Sequence, residues 1–297
     1  MKKVIVILGP TAVGKTKMSV ELAKKLDGEI INVDSTQIFK GLDIATAKIK
    51  EEEKEGIIHH LFDIRDITED YTVYDYQKDC RRCIDDILSR GKTPILVGGT
   101  GLYIKAALYN YEFEEQTIKN DYSNYSNDEL YEKLLLIDKN TQIHKNNRKR
   151  VEHALDYYAQ TGNIIGKIKS DILLYDTLFI GLTTNRDILY ERINNRVEVM
   201  LEDGLLDEAK KIYESNIRTK AIITPIGYKE LFPFFEGKIS LEQAIEQIKQ
   251  NSRKYAKRQY TWFNNQMDVT WFDVNFDNFN NTIDEVYDYI KKHEKRS

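Results

Sequence analysis

Apolar positions fall in short unbroken runs near the start of the chain and give way to periodic segments between them. Val4 to Leu8 is apolar throughout and of strand length, and Lys17 to Leu26 repeats Met18, Leu22 and Leu26 at helical spacing. Glu29-Ile30-Ile31-Asn32-Val33 and Pro94-Ile95-Leu96-Val97 read as buried strands, and Ile57 to Ile64 as a strand or edge segment. Thr72 to Arg90 carries a helical pattern stopped by Gly91, and a helix from Leu102 to about Tyr109 follows Gly98-Gly99-Thr100-Gly101. Strands alternating with helices predict a parallel sheet with crossover helices.

From about Glu112 the texture changes. A polar, acidic stretch leads to Asn127, and helical patterns then run from Asn127 to Asp138 and from Asn147 to Gln160 with no strand between them. This predicts a helical insertion domain, 113–170, inside a core domain made of 1–112 and 171–297. The sheet resumes with Thr177 to Leu182, and Asn185 caps a helix carrying Arg186, Arg192 and Arg196. A segment with Pro225, Gly227 and Pro233 reads as a linker before one long helix, roughly Leu241 to Asn265. A strand from Val269 to Phe272 and an amphipathic helix from Ile283 to Lys292 close the core.

Composition narrows this picture only slightly. The chain has 297 residues, enough for about two domains, with 41% hydrophobic and 31% charged residues, the balance of a soluble protein. Net charge is -4, so a polyanionic partner requires basic residues gathered on one face. No stretch approaches a membrane span, and the apolar run after Met1-Lys2-Lys3 is too short for a secretory leader. Cys80 and Cys83 lie inside a helical pattern, where core or surface thiols fit better than a redox pair, and the expected compartment is reducing and cytoplasmic.

The chemistry starts at Gly9-Pro10-Thr11-Ala12-Val13-Gly14-Lys15-Thr16, a complete phosphate loop between a strand and a helix. Its glycines let backbone N–H groups turn toward phosphate oxygens, Lys15 adds charge, and the Thr16 hydroxyl suits Mg²⁺. The fold class predicted is therefore α/β, a P-loop NTPase-like parallel sheet core with a helical insertion domain. Asp34, at the end of the second strand, lies where open α/β sheets bind ligands; a helix N-cap is the other reading. His59-His60 point to opposite faces of a strand and do not suit one metal ion. Arg192 and Arg196 share a helical face and form either a second clamp on a diphosphate or surface ion pairs with Glu191 or Glu198. Lys145 to Arg150, with Lys167 and Lys169 later, is either a solvated face or a phosphate-contacting patch. Arg253 to Phe263 interleaves basic and aromatic residues, which suits backbone phosphates and base stacking.

Taken together, GPTAVGKT, VDSTQIFKGLDIATAK, LVGGTGLYIKA, RINNRVEVMLEDGLLDEA, TPIGYKE and RKYAKRQYTWF, in that order, resemble the bacterial tRNA dimethylallyltransferases (tRNA isopentenyltransferases). The resemblance runs from about Val4 to Trp271. It implies transfer of a dimethylallyl group from dimethylallyl diphosphate to N6 of the adenosine immediately 3′ of the anticodon, with Mg²⁺ as cofactor and no ATP. It implies that Gly9 to Thr16, with Arg192, bind the diphosphate, and that Asp34, Thr16 and Arg196 are catalytic, Asp34 as acceptor for the amine proton. The tRNA anticodon stem-loop is implied to meet Asp34, Ser35, Thr36, Gln37, Thr100, Lys149, Arg150, Lys257 and Arg258, in a cytoplasmic enzyme expected to be a monomer. Phe39 stands where relatives usually have tyrosine, Ala45 where glycine is usual, and His153 where arginine is usual. The Tyr109 to Ser126 stretch has no match to the family's tRNA-contacting arginine. A small-molecule kinase is the competing reading, disfavoured because neither Ile95 to Val97 nor Leu178 to Leu182 ends in an acidic residue for Mg²⁺. Prenylation of free adenine nucleotide and a non-catalytic RNA-binding module are weaker alternatives.

Overall fold

The computed structural model describes residues 3–110, 120–164 and 172–294. Its chain divides into two compact units, Met1–Tyr109 with Leu173–Ser297, and Asn110–Ile172. The first unit opens with β1 (Val4–Leu8), α1 (Lys15–Leu26), β2 (Gly28–Val33), β3 (His59–His60), α2 (Val73–Ser89), β4 (Thr93–Gly98) and α3 (Gly101–Leu108). The second unit holds α4 (Asn127–Ile137) and α5 (Arg148–Thr161). The first unit then resumes with β5 (Thr177–Thr183), α6 (Arg186–Glu202), α7 (Leu205–Glu214), α8 (Lys220–Ile223), α9 (Tyr228–Phe235), α10 (Leu241–Gln266), β6 (Thr270–Asp273) and α11 (Phe279–Glu294).

Six parallel strands form one sheet in the order β3-β2-β4-β1-β5-β6. Central β1 is buried along its whole length, as a parallel strand covered on both faces must be. The two-residue period splits it: Val4, Val6 and Leu8 join the core under α2, α3 and α10, while Ile5 and Ile7 join the core under α1 and α11. Register fixes where strands end together. Leu8 pairs with Gly98, Val33 also pairs with Gly98, and Leu8 pairs with Gly181, so the loops after β1, β2, β4 and β5 emerge at one edge.

In the second unit α4 packs on α5 through Leu130, Leu134, Val151, Ala154 and Leu155. Ser126 and Glu129 form a capping box at the start of α4. Buried Asp156 accepts from the Asn120 backbone and the Tyr122 hydroxyl, and Arg148 donates to the carbonyls of Tyr122 and Tyr125.

One expected element is overturned, and the edge segment expected at Ile57 to Ile64 is present but short. The segment with Pro225, Gly227 and Pro233 is no linker: it carries α8 and α9, with Pro233 inside α9. Burial of Tyr228 and Leu231 outweighs the missing N–H of one proline in a short helix. Ile57 to Ile64 pairs with β2 only at His59 and His60, because Leu61 and Asp63 take positive φ and turn the chain away. The His59 ring meets the Ile57 carbonyl and His60 meets Glu29, so the two rings diverge. Both cysteines lie in α2, where burial pushes the Cys80 thiol up to about 12. No helix among the described residues is long and apolar enough to cross a membrane. Residues 111–119 of the polar stretch, and Lys167 and Lys169, lie outside the described residues.

Candidate active site

The loop after β1 is shaped by contacts that admit little but glycine. Gly9 has φ of 142°, and a Cβ there would stand 2.6 Å from the Leu182 carbonyl oxygen. Gly14 has φ of 97°, and a Cβ would stand 2.7 Å from the Phe279 ring. Helix α1 starts at the next residue, so its unpaired N–H groups face the loop. Lys15 folds back, its Nζ donating to the carbonyls of Gly9 (3.1 Å) and Pro10 (2.7 Å).

Above the loop lies one face of α6. Arg192 Nε donates to the Ala12 carbonyl at 3.0 Å, and its guanidinium lies 3.8 Å over the Phe276 ring. Arg196 reaches Thr11 Oγ1 at 3.4 Å and the Ala47 carbonyl at 3.5 Å. Neither arginine is spent on Glu191 or Glu198, and Glu198 is taken by Lys249. Burial, then the charge of Arg196, pulls Lys15 down to about 7, against the opposing pull of Asp34. Burial likewise holds Arg196 below the usual guanidinium value. Asp34 acts on both Lys15 and Arg196, and Glu53 on Arg196, yet the two cations still crowd each other in a buried place that gains from an anion.

Asp34 follows β2 directly and caps no helix. Its Oδ1 accepts from the Thr36 backbone (2.9 Å) and hydroxyl (2.6 Å), which leaves Oδ2 for a ligand proton. Buried Asn32 fixes the backbone beneath it, accepting from Asp34 N and donating to the carbonyls of Asp34 and Leu61. Ser35 N donates to Thr100 Oγ1 at 3.2 Å, tying this turn to the one after β4.

These groups meet at a cavity of about 970 Å³. Its wall includes Thr11, Ala12, Gly14, Lys15, Thr16, Asp34, Gln37, Arg192 and Arg196. Gly9, Pro10, Val13, Ser35, Thr36 and Thr100 are not part of this wall; the first three are buried and the last three half-exposed. Lys257 and Arg258 are exposed on α10, outside the cavity wall, and Lys149 and Arg150 are exposed on α5 of the second unit. The aromatics of α10 pack into the protein: Phe263 is buried, Trp262 covers Gly101, and Tyr260 meets Thr183 and Trp271. Lys254, Lys257, Arg258 and Thr261 of that stretch are exposed, while Arg253 is half-buried against Asn194 and Glu246.

Gln259 and Tyr255 were not foreseen. Gln259 accepts from Thr11 N (3.1 Å) and donates to the Gly99 carbonyl (3.2 Å), bridging the phosphate loop to the second glycine turn. Tyr255, one turn earlier, lines the cavity, and burial with the nearby Asp34 charge pushes its hydroxyl well above the ordinary range. A signal existed: Gln259 sits on the stripe of Ala244, Ile248 and Phe263, and a polar residue on an apolar stripe needs partners.

A glycine loop on the central strand of a parallel sheet, feeding a helix N-terminus, defines this as an α/β protein of the P-loop type. Residues 37–266 match the IPP transferase family. The chain is 50% identical over 300 residues to the tRNA dimethylallyltransferase of Anoxybacillus flavithermus, covering 98% of this chain and 96% of that one. Among solved structures, the full-length tRNA isopentenylpyrophosphate transferase of Bacillus halodurans superposes with a TM-score of 0.76 at 43% identity, covering 99% of both chains. A eukaryotic dimethylallyltransferase acting on tRNA superposes with a TM-score of 0.81 at 35% identity, covering 92% of this chain and 74% of that one. The chain belongs to the tRNA dimethylallyltransferase family, the IPP transferases.

Proposed function

We propose that this enzyme transfers the dimethylallyl group of dimethylallyl diphosphate to N6 of the adenosine immediately 3′ of the anticodon in tRNA, in the cytoplasm. The observation that carries the reading is the meeting of Lys15, Arg196 and the Asp34 carboxylate at one cavity. The loop Gly9 to Thr16 cradles the diphosphate, and Arg192 and Arg196 close over it. The adenosine N6 attacks the allylic C1 as the C1–O bond breaks, and the N6 proton passes to Asp34 Oδ2. Lys15 and Arg196 take up the charge that grows on the departing diphosphate. The donor set suits Mg²⁺, since an ion bound mainly by phosphates needs only one or two protein oxygens, here the exposed Thr16 hydroxyl. Such an ion supplies further charge stabilisation to the leaving group.

An exocyclic adenine amine is a weak nucleophile, so alignment against C1 carries much of the rate. The target base is flipped from its loop to reach the cavity, past Ser35, Thr36, Gln37 and Thr100. Lys257 and Arg258 on the core unit, and Lys149 and Arg150 on the helical unit, contact backbone phosphates of the anticodon stem-loop. The test is direct. The protein is incubated with unmodified tRNA, dimethylallyl diphosphate and Mg²⁺ without ATP, and nucleosides are weighed by mass spectrometry. A prenylated adenosine supports the reading; ATP-dependent phosphorylation of a small substrate with no prenylated product overturns it.

A further inference from the structure

Three sequence motifs have no part in the chemistry above: the segment Leu42 to Lys48, which borders the cavity, the start of α7, and Gly227-Tyr228. The structure joins them at one carboxylate. Glu208 Oε2 accepts from Asp43 N (3.0 Å) and Ile44 N (2.9 Å), and Oε1 accepts from Ala45 N (3.1 Å). Tyr228, fully buried, donates its hydroxyl to the same Oε1 at 2.7 Å. Three successive backbone N–H groups converging on one anion form a nest, and here a side chain from far along the chain fills it. The corner bearing Tyr228 is equally tight. Gly227 has φ of 130°, and a Cβ there would stand 3.0 Å from the Ala45 methyl. Glu230 then accepts from Gly227 N and from the Asn251 amide, pinning the corner to α10.

The anchored turn faces the cavity with its carbonyls. Gln37 Nε2 donates to Thr46 O (2.9 Å) and Ala47 O (3.2 Å), and Ala47 O also meets Arg196. Both carbonyls lie just past the nest, in a turn closed by Ala47 N to Ile44 O and Lys48 N to Asp43 O. Committing the donor end of the Gln37 amide to these carbonyls leaves its Oε1 as the atom a cavity ligand can use. An acceptor at that place suits a ligand N–H.

We propose that Glu208, held by Tyr228, is a positioning residue that fixes the Gln37 amide with its acceptor toward the reacting base. This rests on the prenyl-transfer reading above. The side chain never touches substrate; it acts through the turn 43–47.

The test measures single-turnover prenylation of an anticodon stem-loop at saturating donor, alongside binding of inorganic diphosphate. Glu208→Gln places an amide donor against backbone donors, and its rate should fall by about tenfold or more while diphosphate affinity stays within about threefold. In a Gln37→Ala background the same substitution should change the rate by less than about twofold, because its route to the base is already cut. Tyr228→Phe keeps the packing and loses one hydrogen bond, so a loss of about threefold with the same dependence on Gln37 is expected even if Glu208→Gln folds poorly. Equal losses with and without Gln37, or diphosphate affinity falling in step with rate, would mean a merely structural clamp and overturn the proposal. A wild-type protein that fails to prenylate the stem-loop sinks the underlying reading instead; a wild type that prenylates while both variants match it sinks the clamp alone.

Discussion

Gln259 is the most exacting point at which to perturb the phosphate loop, because one amide serves two loops with opposite ends. Gln259→Leu removes both bonds at once. The Gly99 carbonyl is then left buried without its donor, and Thr11 N, partly buried, without its acceptor. Each orphaned group costs about 1–3 kcal/mol, and water access at Thr11 puts that end near the lower bound, so about 2–4 kcal/mol is expected in all. For a chain of this size that lowers Tm by about 3–6 °C. Gln259→Glu separates the two ends. The carboxylate still accepts from Thr11 N, but it opposes the Gly99 carbonyl and sets a negative charge near the diphosphate. Two unit charges about 8 Å apart at an effective dielectric near 20 repel by about 2 kcal/mol, which corresponds to roughly a thirtyfold loss of affinity. Thermal unfolding and calorimetric titration with inorganic diphosphate measure both variants. The Leu variant should be hurt more in Tm, and the Glu variant more in diphosphate affinity per degree lost. Wild-type Tm and affinity in the Leu variant would refute the idea that this amide holds the loop.

Other consequences follow from the same geometry. Asp34→Asn keeps an oxygen for Thr36 yet cannot take a proton, so single-turnover prenylation should drop by about 10²-fold at similar tRNA affinity; unchanged chemistry would remove Asp34 as the acceptor. Lys15, lowered to about 7 in the free site, must be charged to hold a diphosphate, so affinity should weaken by about tenfold per pH unit above that value. Because the folded value lies below the unfolded one, the same group adds stability as pH rises through that window, opposite in direction to binding. Lys15→Arg, charged throughout, is the control: equal pH slopes in the two proteins would rule out Lys15 as the titrating group. Lys149→Glu with Arg150→Glu should weaken tRNA binding and flatten its dependence on salt, and an unaltered salt slope in a filter-binding series would take the start of α5 out of the interface.

How much of this was readable from residues alone depends on how far apart the cooperating residues lie. The strands of the sheet, the phosphate loop and the capped start of α6 are local patterns, each complete within about a dozen residues, and they were legible. Breaker residues misled where burial competes with them: Pro233 suggested a linker, yet Tyr228 and Leu231 bury enough apolar surface to hold α9 around it. In the basic and aromatic part of α10, the composition was read as one RNA-facing surface. Helical spacing instead divides it, turning Gln259 and Phe263 inward and Lys257 and Arg258 outward. The contacts that shape the cavity wall were the least legible. Gln259 to Thr11 and Glu208 to Ala45 each span well over a hundred residues, and nothing local marks one as the partner of the other. What does mark them is a debt of another kind. A loop bent enough to aim successive N–H groups inward, or a glycine turn that leaves a carbonyl buried, must find a compensating side chain somewhere in the fold. The polar residues on otherwise apolar faces of α7 and α10 answer that need, so a search for distant site residues in such folds starts from the orphaned backbone groups of the ligand loops and works outward.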